Sequence, residues 1–260
     1  MSVQETSGKD PILSIEKVSK AFGGVQAVRD VSFSVAPLSI QAVIGPNGAG
    51  KTTLFNLITG VFTPDSGGIF FRGRPLSGVA VHKRVEMGIA RTFQNVELFS
   101  GMSVLENVLV GRHTRTKTGF LGAAAHTRRV KAEETAAFEK ARALLDFVGL
   151  SRVAEKRAGD LPFGWQRMAE IARALASDPA VILLDEPAAG LNASETGELA
   201  ALIRRIRDTG VTVILVEHDM SLTMEVSDQI AVLDQGALLA FGAPRQIQAN
   251  KEVIAAYLGT

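Results

Sequence analysis

The sequence predicts an α/β fold in which a parallel sheet is joined by an antiparallel β layer and interrupted by an inserted helical subdomain. Three observations predict it. Residues 181–184 and 211–216 are continuous apolar runs, the pattern of parallel strands covered on both faces. Residues 12–18 and 31–35 alternate apolar with polar, as strands covered on one face do. From about residue 104 to 150 the character turns helical, with Ala137, Ala141, Leu144, Leu145 and Val148 forming one apolar stripe.

In chain order, residues 1–10 read as a polar tail and 11–260 as a single domain, with 96–160 as the inserted helical subdomain. The alternating segments open the fold. Residues 40–44 then run apolar into a Gly-rich turn, and 52–59 follow with helical spacing of Leu54, Phe55, Leu57 and Ile58. A helix over 195–207 separates the two apolar runs, a shorter strand follows at 229–233, and 244–258 reads as helical. No internal repeat is present, so a fused pair of such domains is excluded.

Composition bounds the function. The chain of 260 residues is 46% hydrophobic, enough for a sizeable core. Its 28 Lys plus Arg against 27 Asp plus Glu leave a formal charge of +1, so no global field draws it to nucleic acid or anionic lipid. It has no cysteine, which removes disulfide and zinc-thiolate chemistry and fits a reducing compartment. With no apolar leader and no run approaching about 18 apolar residues, the expectation is a chain neither secreted by a signal peptide nor membrane-spanning.

The strongest motif is Gly45-Pro46-Asn47-Gly48-Ala49-Gly50-Lys51-Thr52, followed by Thr53, which fits the P-loop pattern G-x-x-x-x-G-K-[ST] between a predicted strand and a predicted helix. Glycines let successive backbone N–H groups turn toward phosphate oxygens, and the helix N-terminus adds positive potential. Lys51 then reaches the β and γ phosphates, and the Thr52 hydroxyl serves Mg²⁺. Asp185 and Glu186 end an apolar strand, at the carboxyl edge where α/β sheets bind ligands. Alone, an acidic pair at a strand end is more often a solvated turn. Beside a P-loop, Asp185 reads as the partner of Mg²⁺ and Glu186 as the base that orients and deprotonates water.

These residues resemble ABC ATPases, because Asp185-Glu186-Pro187 is followed by Ala189-Gly190-Leu191-Asn192 and later by Val216-Glu217-His218-Asp219. The resemblance covers nearly the whole chain and implies the ABC ATPase form of the P-loop NTPase fold, binding ATP and Mg²⁺ in a head-to-tail dimer. It implies that Gln94, in Arg91-Thr92-Phe93-Gln94-Asn95, senses Mg²⁺ and the γ phosphate, that His218 contacts the γ phosphate, and that Phe22 stacks on adenine. The plainer readings are a surface Gln, a structural His and a core Phe. More closely, residues 44–53, 91–110, 185–192 and 216–220, with the ending Ala256-Tyr257-Leu258-Gly259, resemble the LivG-type ATPases of branched-chain amino-acid importers. That implies two permease chains, a second ATPase and, indirectly, an external binding protein, with this chain peripheral at the cytoplasmic face of the inner membrane and no nucleic acid as partner.

One segment departs from the family. The ABC signature, Leu-Ser-Gly-Gly-Gln, reaches the partner's ATP, but the matching segment is Leu161-Pro162-Phe163-Gly164-Trp165. Pro162 supplies neither hydroxyl nor N–H, although Pro suits a first helical turn, so a helix through 168–175 can still point its positive end at phosphate. This favours a heterodimer in which the partner carries the fuller signature; the alternative is a tolerated variant with no functional difference. The basic segment 112–131, with Arg112, Arg115, Lys117, Arg128, Arg129 and Lys131, reads as a solvated loop, or else as a contact for permeases or headgroups. The rival functions are a lipopolysaccharide-type export motor and a soluble ABC ATPase acting on ribosomes or DNA; no long heptad array supports the latter.

Overall fold

The computed structural model describes residues 10–92, 96–113 and 128–258, apart from the side chains of 128–130 and 258. Among them lie two sheets. The first is antiparallel, in the order β2-β1-β4-β5, built from β1 (Leu13–Phe22), β2 (Val25–Val35), β4 (Ser66–Phe71) and the two-residue β5 (Arg74–Pro75). The second has six strands in the order β10-β9-β3-β8-β7-β6: β3 (Ile40–Ile44), β6 (Ile89–Arg91), β7 (Val181–Asp185), β8 (Thr212–Val216), β9 (Gln229–Asp234) and β10 (Ala237–Gly242). All its neighbours run parallel except β10, which turns back on β9 through Gln235-Gly236. Strands β4, β5, β6 and β10 were not anticipated: β4 opens on Ser66-Gly67-Gly68, two or three residues are too few to show a period in β5 and β6, and β10 is half-buried throughout most of its length.

The two faces of the central sheet bury different partners, which is why its inner strands are predominantly apolar on both faces. Ile40, Ala42, Ile44, Ile182, Leu184, Val213 and Leu215 face a helical core that includes Val104, Leu145 and Ile171. Val43, Leu183, Ile214 and Val216 face the other way, into a core shared with Ile15, Val31 and Phe33 of the antiparallel layer and Leu54 and Phe55 of helix α1 (Lys51–Thr59). Strand alternation thus assigns each side chain to one of two cores.

Helix α2 (Val81–Met87) carries a buried cation that fixes α1 from below. Arg84 is 5% exposed and donates to the carbonyls of Leu57, Ile58, Leu76 and Val79 at 2.7–3.0 Å. Two of these acceptors are C-terminal carbonyls of α1, where the negative end of the helix dipole favours a guanidinium. Burial holds the Arg84 pKa below its ordinary value.

The region expected to be helical contains α3 (Val104–Arg112), started by a capping box between Ser103 and Glu106, and α4 (Arg128–Phe147). Both pack with α5 (Phe163–Leu175), and their apolar side chains join the core below the central sheet. Most of the basic segment falls outside the described residues; its first member, Arg112, pairs with Asp178, which Lys140 also holds at 2.9 Å. Helix α6 (Ala193–Asp208) starts on an Asn192–Glu195 capping box and α7 (Met220–Val226) on Asp219. The tail is two helices rather than one, α8 (Pro244–Gln248) and α9 (Lys251–Leu258). Asn250 breaks it, because its side chain accepts from the amides of Glu252 and Val253 and so caps a new start.

Candidate phosphate site

Register brings the predicted residues together. In the central sheet Val43 lies opposite Val216, and Val216 opposite Asp185, so the ends of β3, β8 and β7 stand side by side. The segments leaving those ends are Gly45–Thr52, Glu217-His218 and Glu186–Asn192, which converge although they are far apart in sequence. This is the carboxyl edge at which open α/β sheets take ligands.

The turn from β3 into α1 encloses a cavity of 190 Å³ lined by Ala27, residues 47–53, Glu186 and His218. Gly50 has φ +100° and a Cβ there would lie 2.3 Å from the Ala27 carbonyl oxygen, so only glycine permits this turn to lie against β2. Lys51, 6% exposed, bends back to donate to the carbonyls of Gly45 at 2.8 Å and Pro46 at 3.0 Å. Burial lowers its pKa, while the negative charges of Glu186 and Asp185 act to raise it. An ammonium held by two neutral carbonyls beside two carboxylates is poised to accept a polyanion, which makes the stronger, charge-assisted bonds.

Glu186 occupies an unusual backbone, with φ +46°, immediately after β7. Its Oε1 lies 2.9 Å from His218 Nε2, so the acid and the histidine face one another across the cavity mouth. Such strain in a non-glycine residue costs about 1–3 kcal/mol and clusters at functional sites.

Asp185 does not line the cavity. It is 2% exposed, and its Oδ2 takes a 2.7 Å ion pair from Arg91 Nη2. Arg91 also donates to Asn56 Oδ1 of α1 at 2.6 Å, so one guanidinium joins β6, α1 and β7. The sequence reading missed Arg91 and Asn56 as site residues, because nothing local marks them. Gln94, assigned a sensing role, lies outside the described residues. For Mg²⁺ the donors fit: the exposed Thr52 hydroxyl and the Asp185 carboxylate are hard oxygens. Among the described residues no group of three His, Cys, Asp or Glu could hold a metal unaided. Phosphate and water oxygens would therefore have to complete the shell, as is usual for Mg²⁺.

Phe22 and the signature segment lie away from the cavity lining. Phe22, at the end of β1, is 42% exposed, packs edge-on against Phe62 at 5.0 Å and has the Lys20 ammonium over its ring, 5.5 Å from the centroid. Pro162 is the N-cap of α5 rather than a residue of its first turn, and it gives no side-chain cap. Leu161 and Gly164 are buried, whereas Phe163 and Trp165 are 45% and 44% exposed. A Cβ at Gly164 would lie 2.7 Å from Glu195 Oε1, so the Glu195 side chain would have to shift to admit it.

A 190 Å³ cavity falls below the roughly 300–1,000 Å³ of complete small-molecule sites. The P-loop turn, Glu186 and the facing His218 fit the phosphate half of a nucleotide site, and the fold that carries them is that of a P-loop NTPase. A family model described as ABC transporter matches residues 28–189, and one described as branched-chain amino acid ATP-binding cassette transporter matches 237–260. The chain is 46% identical to the high-affinity branched-chain amino acid transport ATP-binding protein BraF of Pseudomonas aeruginosa. It is 44% identical to LivG of Escherichia coli, which carries the same description, and in both cases 96% of this chain and 98% of the relative are covered. Among solved structures, the ADP conformation of MJ1267, an ATP-binding cassette of an ABC transporter, superposes with a TM-score of 0.85 at 30% identity, covering 97% of this chain and all of that one. The chain belongs to the ABC transporter family, in the branch of the branched-chain amino acid ATP-binding proteins. It is an ATP-binding cassette, and among the described residues no helix is long and apolar enough to cross a membrane.

Proposed function

We propose that this chain is the ATP-hydrolysing subunit of an importer of branched-chain, hydrophobic amino acids, seated peripherally at the cytoplasmic face of the inner membrane. The observation that carries this reading is similarity to BraF and LivG along nearly the whole chain, reinforced by the separate match at the C-terminus. The export and ribosome or DNA readings have no comparable support.

In this reading the turn Gly45 to Thr52, with Thr53, wraps the phosphates of ATP through its backbone amides. Lys51 exchanges its two carbonyl partners for phosphate oxygens. Thr52 and Asp185 would hold Mg²⁺, with Gln94 completing the sensing of it; the ion supplies charge neutralisation to the phosphates. Glu186 accepts the proton of the attacking water, and His218 holds that water and the γ phosphate while fixing the Glu186 carboxylate. Phe22 stacks on the adenine ring.

The other half of the site comes from a second ATPase chain, while Leu161, Pro162, Phe163, Gly164 and Trp165 face that partner's nucleotide. Because this signature lacks the hydroxyl, the first glycine and the closing glutamine, the working form is a heterodimer with two permease chains. An external binding protein presents the amino acid, which never touches this subunit. Binding closes the dimer and hydrolysis opens it, a two-state cycle biased by the γ phosphate.

The test is to express tagged Glu186→Gln protein in its host, trap it with MgATP, extract membranes gently and identify the chains that co-purify. Recovery of two hydrophobic permeases and a second ATPase, followed by loss of leucine uptake on deletion, is the expected result. Recovery of ribosomes, DNA or no membrane protein would overturn the transport reading.

A further inference from the structure

Glu217 is the least expected ionisable group near the site. It directly follows β8 and is 3% exposed, and burial pushes its carboxyl above the ordinary carboxylate range despite the backbone amides that bind it. A buried carboxylate is tolerated only where its oxygens are satisfied. Its Oε1 accepts from the Ala188 amide at 2.7 Å, and its Oε2 from the amides of His218 at 3.0 Å and Asp219 at 3.3 Å.

These donors belong to two separate segments. Ala188 lies in the turn leaving β7, two residues after Glu186, whereas His218 and Asp219 lead into α7. The strands beneath are paired as far as Asp185 and Val216, and the Glu186 amide extends the ladder by one bond to the Val216 carbonyl at 2.9 Å. Beyond that bond the chains diverge. Glu186 turns through positive φ, the Ala189 amide returns to its carbonyl at 3.1 Å, and the Glu217 carboxylate spans the gap above. The 2.9 Å contact between Glu186 Oε1 and His218 Nε2 lies across the same two segments.

We propose that Glu217 is a positioning residue that locks the exit turn of β7 to the His218 segment and so fixes the distance between Glu186 and His218. The proposal rests on the ATPase reading above. Glu217 touches no substrate atom; its effect passes through the two side chains it aligns. An error of about 1 Å in such an alignment is enough to lower turnover about 10²-fold.

The experiment compares wild type, Glu217→Gln and Glu217→Asp in the intact co-purified complex, with and without His218→Ala, after thermal melting has shown which variants fold. Gln keeps an oxygen for one segment but sets an NH₂ group against the amides of the other; Asp keeps the charge and shortens the reach. The expected result is a roughly 10²-fold fall in ATP turnover with the dissociation constant of a fluorescent ATP analogue unchanged. In the His218→Ala background the same substitutions should cost less than about threefold, because coupled residues are not additive. The Asp variant carries the test if the Gln variant does not fold. Equal losses in both backgrounds, or nucleotide affinity falling in step with turnover, would overturn the proposal. Absence of turnover in the wild-type complex would instead sink the ATPase reading itself.

Discussion

The phosphate turn and the signature segment are both loops that start a helix, yet they are finished to different degrees within this chain. At the turn before α1, Lys51, Glu186 and His218 are already oriented by partners, and the cavity they line is polar and partly enclosed. At the start of α5, Pro162 provides no cap and two aromatic side chains stand half-exposed. The difference teaches that one chain carries a nearly built phosphate cradle and a helix start left uncapped and half-exposed, the face that the proposed function assigns to a second chain. Beneath that face lies firm support: Arg167, 0% exposed, pairs with Glu170 at 2.9 Å and lies under the Phe163 ring at 5.7 Å.

The comparison can be broken or sharpened experimentally, and the largest effect belongs to the finished site. Glu186→Gln removes the base but keeps shape and hydrogen bonding to His218, so turnover should fall about 10²–10⁴-fold while ATP binding persists, as read by phosphate release and equilibrium binding. Retained turnover would remove Glu186 from the chemistry.

Next is Arg91→Met, which strands the buried Asp185 carboxylate and the Asn56 amide oxygen. A stability loss of about 3–5 kcal/mol is expected in urea unfolding, because the remaining charge is left without its partner. The double variant with Asp185→Asn should recover part of it. Full additivity would show that the pair is not coupled.

At the unfinished face the expected signs reverse. Trp165→Ala should leave the stability of the isolated chain within about 0.5 kcal/mol, since the side chain is half-exposed, yet slow hydrolysis at the partner's site. Mixing Glu186→Gln subunits with a wild-type partner, and the reverse, locates that loss; equal loss from either side would contradict asymmetry. As the single tryptophan of the chain, Trp165 also reports closure by its own fluorescence.

The smallest effect is Pro162→Ser. A serine hydroxyl at this N-cap would add about 1 kcal/mol, but losing the proline frees the unfolded chain by a similar amount. A net change below about 1 kcal/mol in thermal unfolding is expected, with faster hydrolysis at the opposing site if the hydroxyl matters there.

By itself the sequence determined the features whose physics is local. The run Gly45 to Thr52 carries its turn in its own glycines, and largely apolar strands announce burial on both faces, so the phosphate-loop motif, the acid pair at a strand end and the presence of both a parallel and an antiparallel sheet were legible. Tertiary structure decided what joins distant segments. Arg91 meets Asp185 across 94 positions of sequence, Arg91 meets Asn56 across 35, and Glu217 meets Ala188 across 29. No periodicity encodes such pairs, because a buried guanidinium or carboxylate is committed only when neighbouring strands bring its partners within about 3 Å.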